Sequence, residues 1–474
     1  VLYINGEWRQ ANSGQTLDVL NPATGEIINT VASGGKEETK EAIQAAKKAF
    51  KSWKKATGEE RGKYLAKAAE LMKEKKGEIA RTITMEMGKP LPHAEREVAG
   101  AINYVVWYAE EAKRVYGETI PASHPDKHLM LLRQPVGVAA AITPWNFPAS
   151  MITRKIAPAI AAGCTVVLKP APSTPLSAIK VFECFHEAGF PEGVANLIIG
   201  PADEIGKELT KSPDVRKLTF TGSTPVGKML LKESADTVKK ISMELGGHAP
   251  FIVFEDADMG AAIKGVLGTK FVNSGQTCIS TNRIYVAESI AEEFGQRLAE
   301  QAAKLKVGNG LEDGVDVGPL INEQALEKVE NHVADAVQQN GKVLCGGNRY
   351  GNGKGSFYEP TVINFAQESM KITTEETFGP VAPIYTFKDE EEVIERANHE
   401  SYGLAAYCFT KDLGRGYRMM SELEYGIVGI NDPAPIVAQA PFGGFKESGM
   451  GKEGGRSGIL EYLEEKFVSV GIGN

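Results

Sequence analysis

Cysteine is scarce and scattered, with five in 474 residues, at positions 164, 184, 278, 345 and 408. None forms a Cys-x-x-Cys pair, and an odd count builds no closed disulfide framework. The chain therefore reads as one kept in a reducing compartment, which points to the cytoplasm. Histidine is also sparse, seven residues with no His-Glu-x-x-His, so no metal site is expected. No apolar run is long enough to span a bilayer. The stretch 159–163 is too short and is flanked by Lys155 and Lys169. Positive charge is in deficit, with 53 Lys and Arg against 61 Asp and Glu and a formal charge of −8. That balance argues against nucleic acid and against an anionic membrane surface as partners. No signal-peptide pattern, internal repeat or low-complexity segment stands out.

What is present is an ordinary globular composition, 42% hydrophobic and 24% charged, in a chain long enough for two or three domains with large cores. The first 114 residues are helix-rich after an opening strand at Leu2–Trp8 interrupted by an Asn5-Gly6 turn signal, with another turn at Asn21–Gly25. Amphipathic periodicity predicts helices over about 37–52, 59–76, 77–87 and 92–114, with Gly88-Lys89-Pro90 as a stop signal. Their charges read as solvated faces without chemistry. Residues 117–135 change character to a β-rich arm with no helical period.

From Val136 a strand–helix alternation begins. Val136–Thr143 is a fully apolar run of the kind buried on both faces of a parallel sheet, Thr165–Lys169 reads as another buried strand ending on a lysine, and strand Lys217–Thr221 runs into Gly222-Ser223. The fold class is therefore α/β with a doubly wound parallel sheet, which binds ligands at its strand ends. Lys169 sits at one such end. Gly222-Ser223 sits at another and leads into a helix through Thr224-Pro225, so free helix N–H groups could hold a phosphate there. Together with Lys169, this turn suggests an adenine dinucleotide. Beyond residue 280 a second α/β unit follows, with strands at 283–286, 358–362, 382–387 and 426–431. A final strand spans 462–472.

The chemistry gathers around Phe271–Cys278, which reads FVNSGQTC. Cys278 has small or polar neighbours, unlike an inert structural cysteine among apolar residues. Thirty-four residues upstream, Glu244 stands in an apolar frame and runs into Gly246-Gly247. A carboxylate so placed has a raised pKa suited to a general base, and a thiol plus such a base can run covalent acyl chemistry.

Seven motifs occur in one order: PWNFP at 144–148, LKPA at 168–171, FTGS at 220–223, MELGG at 243–247, GQTC at 275–278, EETFGP at 375–380 and PFGG at 441–444. With them the chain resembles the NAD(P)-dependent aldehyde dehydrogenases over essentially its whole length, closest in wording to succinate-semialdehyde dehydrogenases. The resemblance implies a cofactor domain (1–116 and 136–246), a catalytic domain (247–448) and an oligomerisation arm (117–135 and 459–474) that builds a homodimer or homotetramer. It assigns Cys278 as nucleophile, Glu244 as the base for the deacylating water, and Asn146 as the side-chain half of an oxyanion hole. Lys155 and Glu453 match a proton path behind the base, although they could equally be a plain salt bridge. Trp145, Lys169, Gly222, Ser223, Glu376 and Phe378 fall on the cofactor side.

Two features depart from the succinate-semialdehyde pattern. Arg154 matches an arginine that grips the substrate's far carboxylate, but the second arginine of that site is Val272 here, and a helping serine aligns with Ile436. The expected substrate is a small aldehyde, either succinate semialdehyde, another anionic aldehyde (glutarate semialdehyde, a sulfonated aldehyde) or a broader aliphatic range. At the cofactor's adenosine end, NAD-selective relatives carry a glutamate where this chain has Pro172, followed by Ser173. NADP is therefore expected to be accepted, with NAD also usable. A CoA-acylating relative usually lacks the base that Glu244 supplies, and a silent binding protein would have lost Cys278 or Glu244.

Overall fold

The computed structural model describes residues 1–351 and 353–473. Two large sheets carry the architecture. The first is eight-stranded, in the order Glu7–Arg9, Leu2–Ile4, Ala195–Leu197, Thr165–Lys169, Val138–Ile142, Val215–Thr221, Lys240–Glu244, Gly449–Met450. Its five inner strands are parallel, and antiparallel partners close both edges. Val138–Ile142 (VAAAI) and Thr165–Lys169 (TVVLK) are buried throughout, as expected for strands covered on both faces. Helices cover this sheet. Lys36–Trp53 buries Ala42, Ile43, Ala46 and Trp53 along one stripe, and Ser150–Ala162 is buried from Met151 to its end.

The chain runs outward from Val138–Ile142 to Thr165–Lys169 and Ala195–Leu197. It then crosses back to Val215–Thr221 on the opposite side. The order therefore reverses beside Val138–Ile142, and the carboxyl ends of the strands on either side open a crevice. The Pro144–Pro148 loop, Lys169 and the Gly222-Ser223 turn all leave from those ends.

The second sheet has seven strands, in the order Lys342–Cys345, Thr361–Asn364, Val381–Phe387, Thr281–Ala287, Ala249–Val253, Ala405–Phe409, Ile427–Ile430. All but the first edge strand run parallel. Strand Lys240–Glu244 passes through Leu245–His248 directly into Ala249–Val253. The carboxyl ends of the first sheet therefore meet the amino ends of the second. A separate antiparallel ribbon, Leu463–Gly471 with Lys127–Pro135 and Glu118–Ile120, projects as an arm. No helix among the described residues is long and apolar enough to cross a membrane.

Three local expectations shift. Leu2–Trp8 is not one strand but a two-strand hairpin, because Asn5 and Gly6 both take positive φ (53° and 85°) and reverse the chain. The strand expected at 358–362 forms at Thr361–Asn364, since Tyr358 instead bridges Arg349 in an isolated pair. The Asn21–Gly25 turn joins a hairpin of its own, Thr16–Leu20 with Ile27–Ala32, whose mostly exposed residues give little alternation to read.

Candidate active site

Cys278 lies on the loop that leads into Thr281–Ala287, just after the short turn Val272–Gly275. Asn273, Ser274 and Gly275 take successive left-handed φ values of 55°, 57° and 73°, which wind the loop tightly. Buried amides lock it. The Gln276 side chain accepts from Ile321 N at 2.9 Å and donates to Asn273 O at 3.2 Å, and Ser274 Oγ donates to Gly318 O at 2.8 Å. Gln276 of the GQTC motif thus holds the loop rather than taking part in chemistry. A Cβ on Gly247 would sit 2.0 Å from the Cys278 carbonyl oxygen, so only glycine lets the first sheet's exit strand pass so close behind the cysteine.

Asn146 enters from the Pro144–Pro148 loop. Its Nδ2 donates to Gln276 O at 3.0 Å, which brings the amide to the approach of Cys278, and its Oδ1 is buried without a partner. Its position is fixed from below by two residues that the sequence did not flag. Lys89 Nζ donates to Asn146 O at 2.8 Å and to Glu97 at 2.5 Å, and lies 3.9 Å over the Phe147 ring. Both side chains of this ion pair are fully buried. Glu97 in turn accepts from Ala149 N at 2.8 Å and so caps the helix Ser150–Ala162, which has no cap of its own. The expectation that the helices before residue 114 carry only solvated charge is therefore corrected. The face of Leu91–Glu111 turned to the site holds a buried charge pair and lines the cavity above Cys278.

Glu244 ends the strand Lys240–Glu244, buried, with Oε2 lacking a hydrogen-bond partner. Burial, and next the negative charge of Glu453, push its pKa well above the ordinary carboxylate value. Glu453 hydrogen-bonds Lys155 and lies 3.2 Å from Arg154 Nε. Burial alone would raise it, but Lys155 and Arg154 outweigh that and hold it below the usual range. Lys155 and Glu453 form an ion pair whose charges both act on Glu244. The Cys278 thiol is pushed up to about 12, by burial first and then by Glu376, with Glu244 adding to the effect. With its pKa at about 12, the Cys278 thiol keeps its proton at rest near neutral pH.

On the other side of the loop, Phe378 takes a φ of 56° and meets Trp145 edge-on at 5.6 Å, instead of joining a core. Glu376 accepts from Gly247 N at 3.0 Å, and burial raises its pKa to about 7. Lys169 donates only to Pro170 O, at 3.2 Å, and burial lowers it to about 8, with no carboxylate beside it. Pro172 and Ser173 are exposed on the turn that follows. The N-terminus of the next helix, Pro175–Glu187, is already occupied, because buried Glu86 accepts from Leu176 N and Ser177 N. The N-terminus of Thr224–Ser234 is different: Ser223, at its cap, makes no side-chain capping bond, and Gly222 lies flat on the Phe220 ring. These residues fit a dinucleotide, with an uncapped helix start for phosphate and an unpaired lysine at the neighbouring strand end.

The opposite face opens into a cavity of about 920 Å³ lined by Cys278, Arg154, Val272 and Ile436, together with Phe442 and Tyr104. The structure thus brings the three substrate-side residues to one space with the thiol. Arg154 is not a free cation there. It shares Glu453 with Lys155, and its guanidinium lies 3.9 Å over Phe442. Phe442 and Tyr104 were not singled out from the sequence. An aromatic after proline in PFGG, or on an amphipathic helix, looks like any core residue.

The sequence model of the aldehyde dehydrogenase family matches residues 8–468. The chain belongs to the aldehyde dehydrogenase family. This aldehyde dehydrogenase is 51% identical over 470 residues to a glutarate-semialdehyde dehydrogenase of Pseudomonas putida, covering 99% of this chain and 97% of that one. It is 49% identical to an NADP-linked succinate-semialdehyde dehydrogenase of Escherichia coli, again covering 99% and 97%. The crystal structure of an NADP-dependent Escherichia coli enzyme superposes with a TM-score of 0.98 at 49% identity, covering 99% and 98%. Members of the family use NAD(P).

If the Lys89–Glu97 pair fixes Asn146, Glu97→Gln leaves Lys89 charged and buried without an anion. It should destabilise the protein by about 3–5 kcal/mol, read as a lower midpoint in thermal unfolding. Lys89→Met combined with Glu97→Gln should regain most of that stability and still turn over aldehyde slowly, because Asn146 O then keeps only the Asn273 Nδ2 donor, at 3.1 Å. A double variant with full activity would show that Asn146 is held by other contacts.

Proposed function

We propose that this aldehyde dehydrogenase oxidises a small aldehyde carrying an anionic group at its far end, of the succinate- and glutarate-semialdehyde class, to the corresponding acid. The observation that carries this reading is Arg154 in the same cavity as Cys278, with one guanidinium nitrogen, Nη2, unpartnered.

Ionised Glu244 takes the proton of Cys278 Sγ and passes it to solvent, and the thiolate adds to the aldehyde carbon. The former carbonyl oxygen becomes an oxyanion that the Asn146 amide can receive, with the Cys278 N–H as second donor. NAD(P), when bound, supplies the hydride acceptor for this carbon, on the side where Trp145 and Phe378 meet and Glu376, Lys169, Gly222 and Ser223 stand. The product on the protein is a Cys278 thioester. Glu244 then takes a proton from water, the hydroxide adds to the thioester carbon, and the C–S bond breaks to return the thiol. Glu244 stands within electrostatic reach of Cys278, and a carboxyl with a raised pKa can both take and return a proton near neutrality. Its presence favours hydrolysis over transfer of the acyl group to CoA.

For the cofactor, the reading is that NADP is accepted and NAD is also used. No carboxylate stands at Pro172 or Ser173 to repel a 2′-phosphate, and Lys169 is available to attract one. Assembly as a homodimer or homotetramer is supported by the arm, whose Ile120, Leu132, Phe467 and Val470 are each 39–60% exposed in the single chain.

Initial rates at the reduced-nicotinamide absorbance test the function. Succinate semialdehyde, glutarate semialdehyde, a sulfonated three-carbon aldehyde and propanal are each assayed with NAD and with NADP. Higher kcat/KM for the anionic aldehydes is expected, with turnover on both cofactors; a preference for propanal would remove the anionic-tail reading, and activity on NAD alone would remove the cofactor reading.

The pH dependence follows from Glu244. Its pKa is raised, so the active ionised form appears only as pH climbs through that value, and kcat should have an ascending limb. Glu453→Gln removes the repelling charge and leaves Arg154 and Lys155 less neutralised beside Glu244. Both changes favour ionisation, so the limb should move to lower pH. A limb that stays put would show that Glu244 does not set it. Light scattering should give twice or four times the 51.0 kDa chain mass, and a monomer would refute the role given to the arm.

A further inference from the structure

One wall of the substrate cavity has no part in the steps above. The helix Leu91–Glu111 turns His93, Glu97, Gly100, Tyr104 and Trp107 toward it at spacings of three and four residues, a single helical stripe. Glu97 is committed to Lys89. Two others are not committed. The Tyr104 hydroxyl and the Trp107 indole N–H are buried with no hydrogen-bond partner, and Tyr104 is only 5% exposed. The Arg154 guanidinium lies 5.2 Å from the centre of the Tyr104 ring, and its Nη2 is likewise without a partner. Leaving buried donors unsatisfied is costly, so three around one space mark a place where something is meant to bind.

The chemistry of the three groups says what. An indole N–H and a guanidinium can only donate, and a phenol can donate. A ligand that satisfies all of them must present acceptor oxygens. Val272 and Ile436, on other walls of the same cavity, offer no competing polar group. His93 also faces the cavity with Nδ1 unpartnered, but burial, then Arg96 and Lys89, lower it to about 4, so it brings no charge. Arg96 and Arg114 also line the cavity, but both are exposed and Arg114 pairs with Glu111; the buried cation beside the thiol is Arg154, shared with Glu453, and the neutral donors of the helix supplement it.

We propose that Tyr104 and Trp107, with Arg154, recognise the anionic oxo group at the far end of the substrate, and that they supply the donors missing at Val272 and Ile436. The proposal rests on the reading that the substrate carries such a tail. Carboxylate and sulfonate share the necessary chemistry, since both present acceptor oxygens and a negative charge.

The test uses the full-length enzyme with Tyr104→Phe, Trp107→Phe and the pair. Each is assayed on succinate semialdehyde, glutarate semialdehyde, a sulfonated three-carbon aldehyde and propanal. Tyr104→Phe keeps the ring against Arg154 and removes only the donor. It should raise KM for the anionic aldehydes about tenfold, the size of one charge-assisted hydrogen bond, with kcat within about twofold and the KM for propanal unchanged. Glutarate, as a dead-end competitor of propanal oxidation, should lose affinity by the same factor. A larger loss on the sulfonated aldehyde identifies sulfonate as the tail, and a larger loss on the semialdehydes identifies carboxylate. A KM that rises equally for propanal would show a merely structural role, and unchanged values for anionic substrates would show no contact; either overturns the proposal. If the wild-type enzyme does not favour anionic aldehydes at all, the anionic-tail reading fails and the proposal falls with it. If the wild type favours them and Tyr104→Phe keeps that preference, only the proposal falls.

Discussion

The buried Lys89–Glu97 ion pair is the point on which the site's geometry depends. Two charges removed from water are costly, and their mutual attraction repays this only when the remaining donors and acceptors are also satisfied. Here they are. Lys89 also binds the Asn146 carbonyl and the face of Phe147, while Glu97 takes the first free N–H groups of the helix Ser150–Ala162. The pair therefore joins three things: the start of the helix Leu91–Glu111, the loop that carries Asn146, and the helix Ser150–Ala162 that carries Arg154 and Lys155. From Asn146 the connection continues through Gln276 O to the loop of Cys278. Geometry at the thiol is thus set by charges buried in the helical layer next to it.

A second balance sets the electrostatics. Arg154, Lys155, Glu244 and Glu453 form a buried cluster of two cations and two carboxylates, which pushes the pKa of Glu244 up and holds that of Glu453 down. Were both carboxylates to ionise fully, they would repel at close range in a medium of low dielectric. The cations favour Glu453, and the pKa of Glu244 is driven up. The arrangement gives one carboxyl suited to proton transfer. Arg154 stands at the edge of that cluster, facing the cavity. An anion bound there would draw on the same charge that steadies Glu453, which ties the substrate's tail to the state of the base.

Much of this was legible in the residues. Buried parallel strands announce themselves as apolar runs, and the strand-end positions of Asn146, Lys169 and Gly222-Ser223 follow from the α/β alternation. The motif order placed Cys278, Glu244, Arg154, Val272 and Ile436 in one site, and the structure brings the last three into one cavity with the thiol. Lys89 and Glu97 were read as a helix stop and a solvated charge. Nothing in local sequence separates a buried ion pair from a surface one, because the partner that buries it lies on another element. Tyr104 and Trp107 escaped for the opposite reason. On an amphipathic helix an aromatic residue is expected to face inward, and only the three-dimensional structure shows that the inside there is a cavity rather than a core. The Thr16–Ala32 hairpin was read only as a turn, since its exposed strands have no apolar face to repeat.

The positions of these groups explain how close relatives can bear different substrate names at nearly equal identity. Cys278, Glu244 and Asn146 hang on the backbone where two sheets meet, and small changes there collide with main chain. Gly247 beside the Cys278 carbonyl and Gly275 beside the Gly379 carbonyl leave no room for a Cβ. Selection of the tail lies elsewhere, on one helix face, on one turn and on the loop around Ile436. Side chains there point into about 920 Å³ of open space and can be exchanged without moving a strand. An arginine lost at 272 costs binding only if no other donor reaches the same oxygens. With the Tyr104 hydroxyl, the Trp107 N–H and the Arg154 Nη2 without hydrogen-bond partners around that space, the anion site can be rebuilt from a different wall while the chemistry beneath it stays fixed.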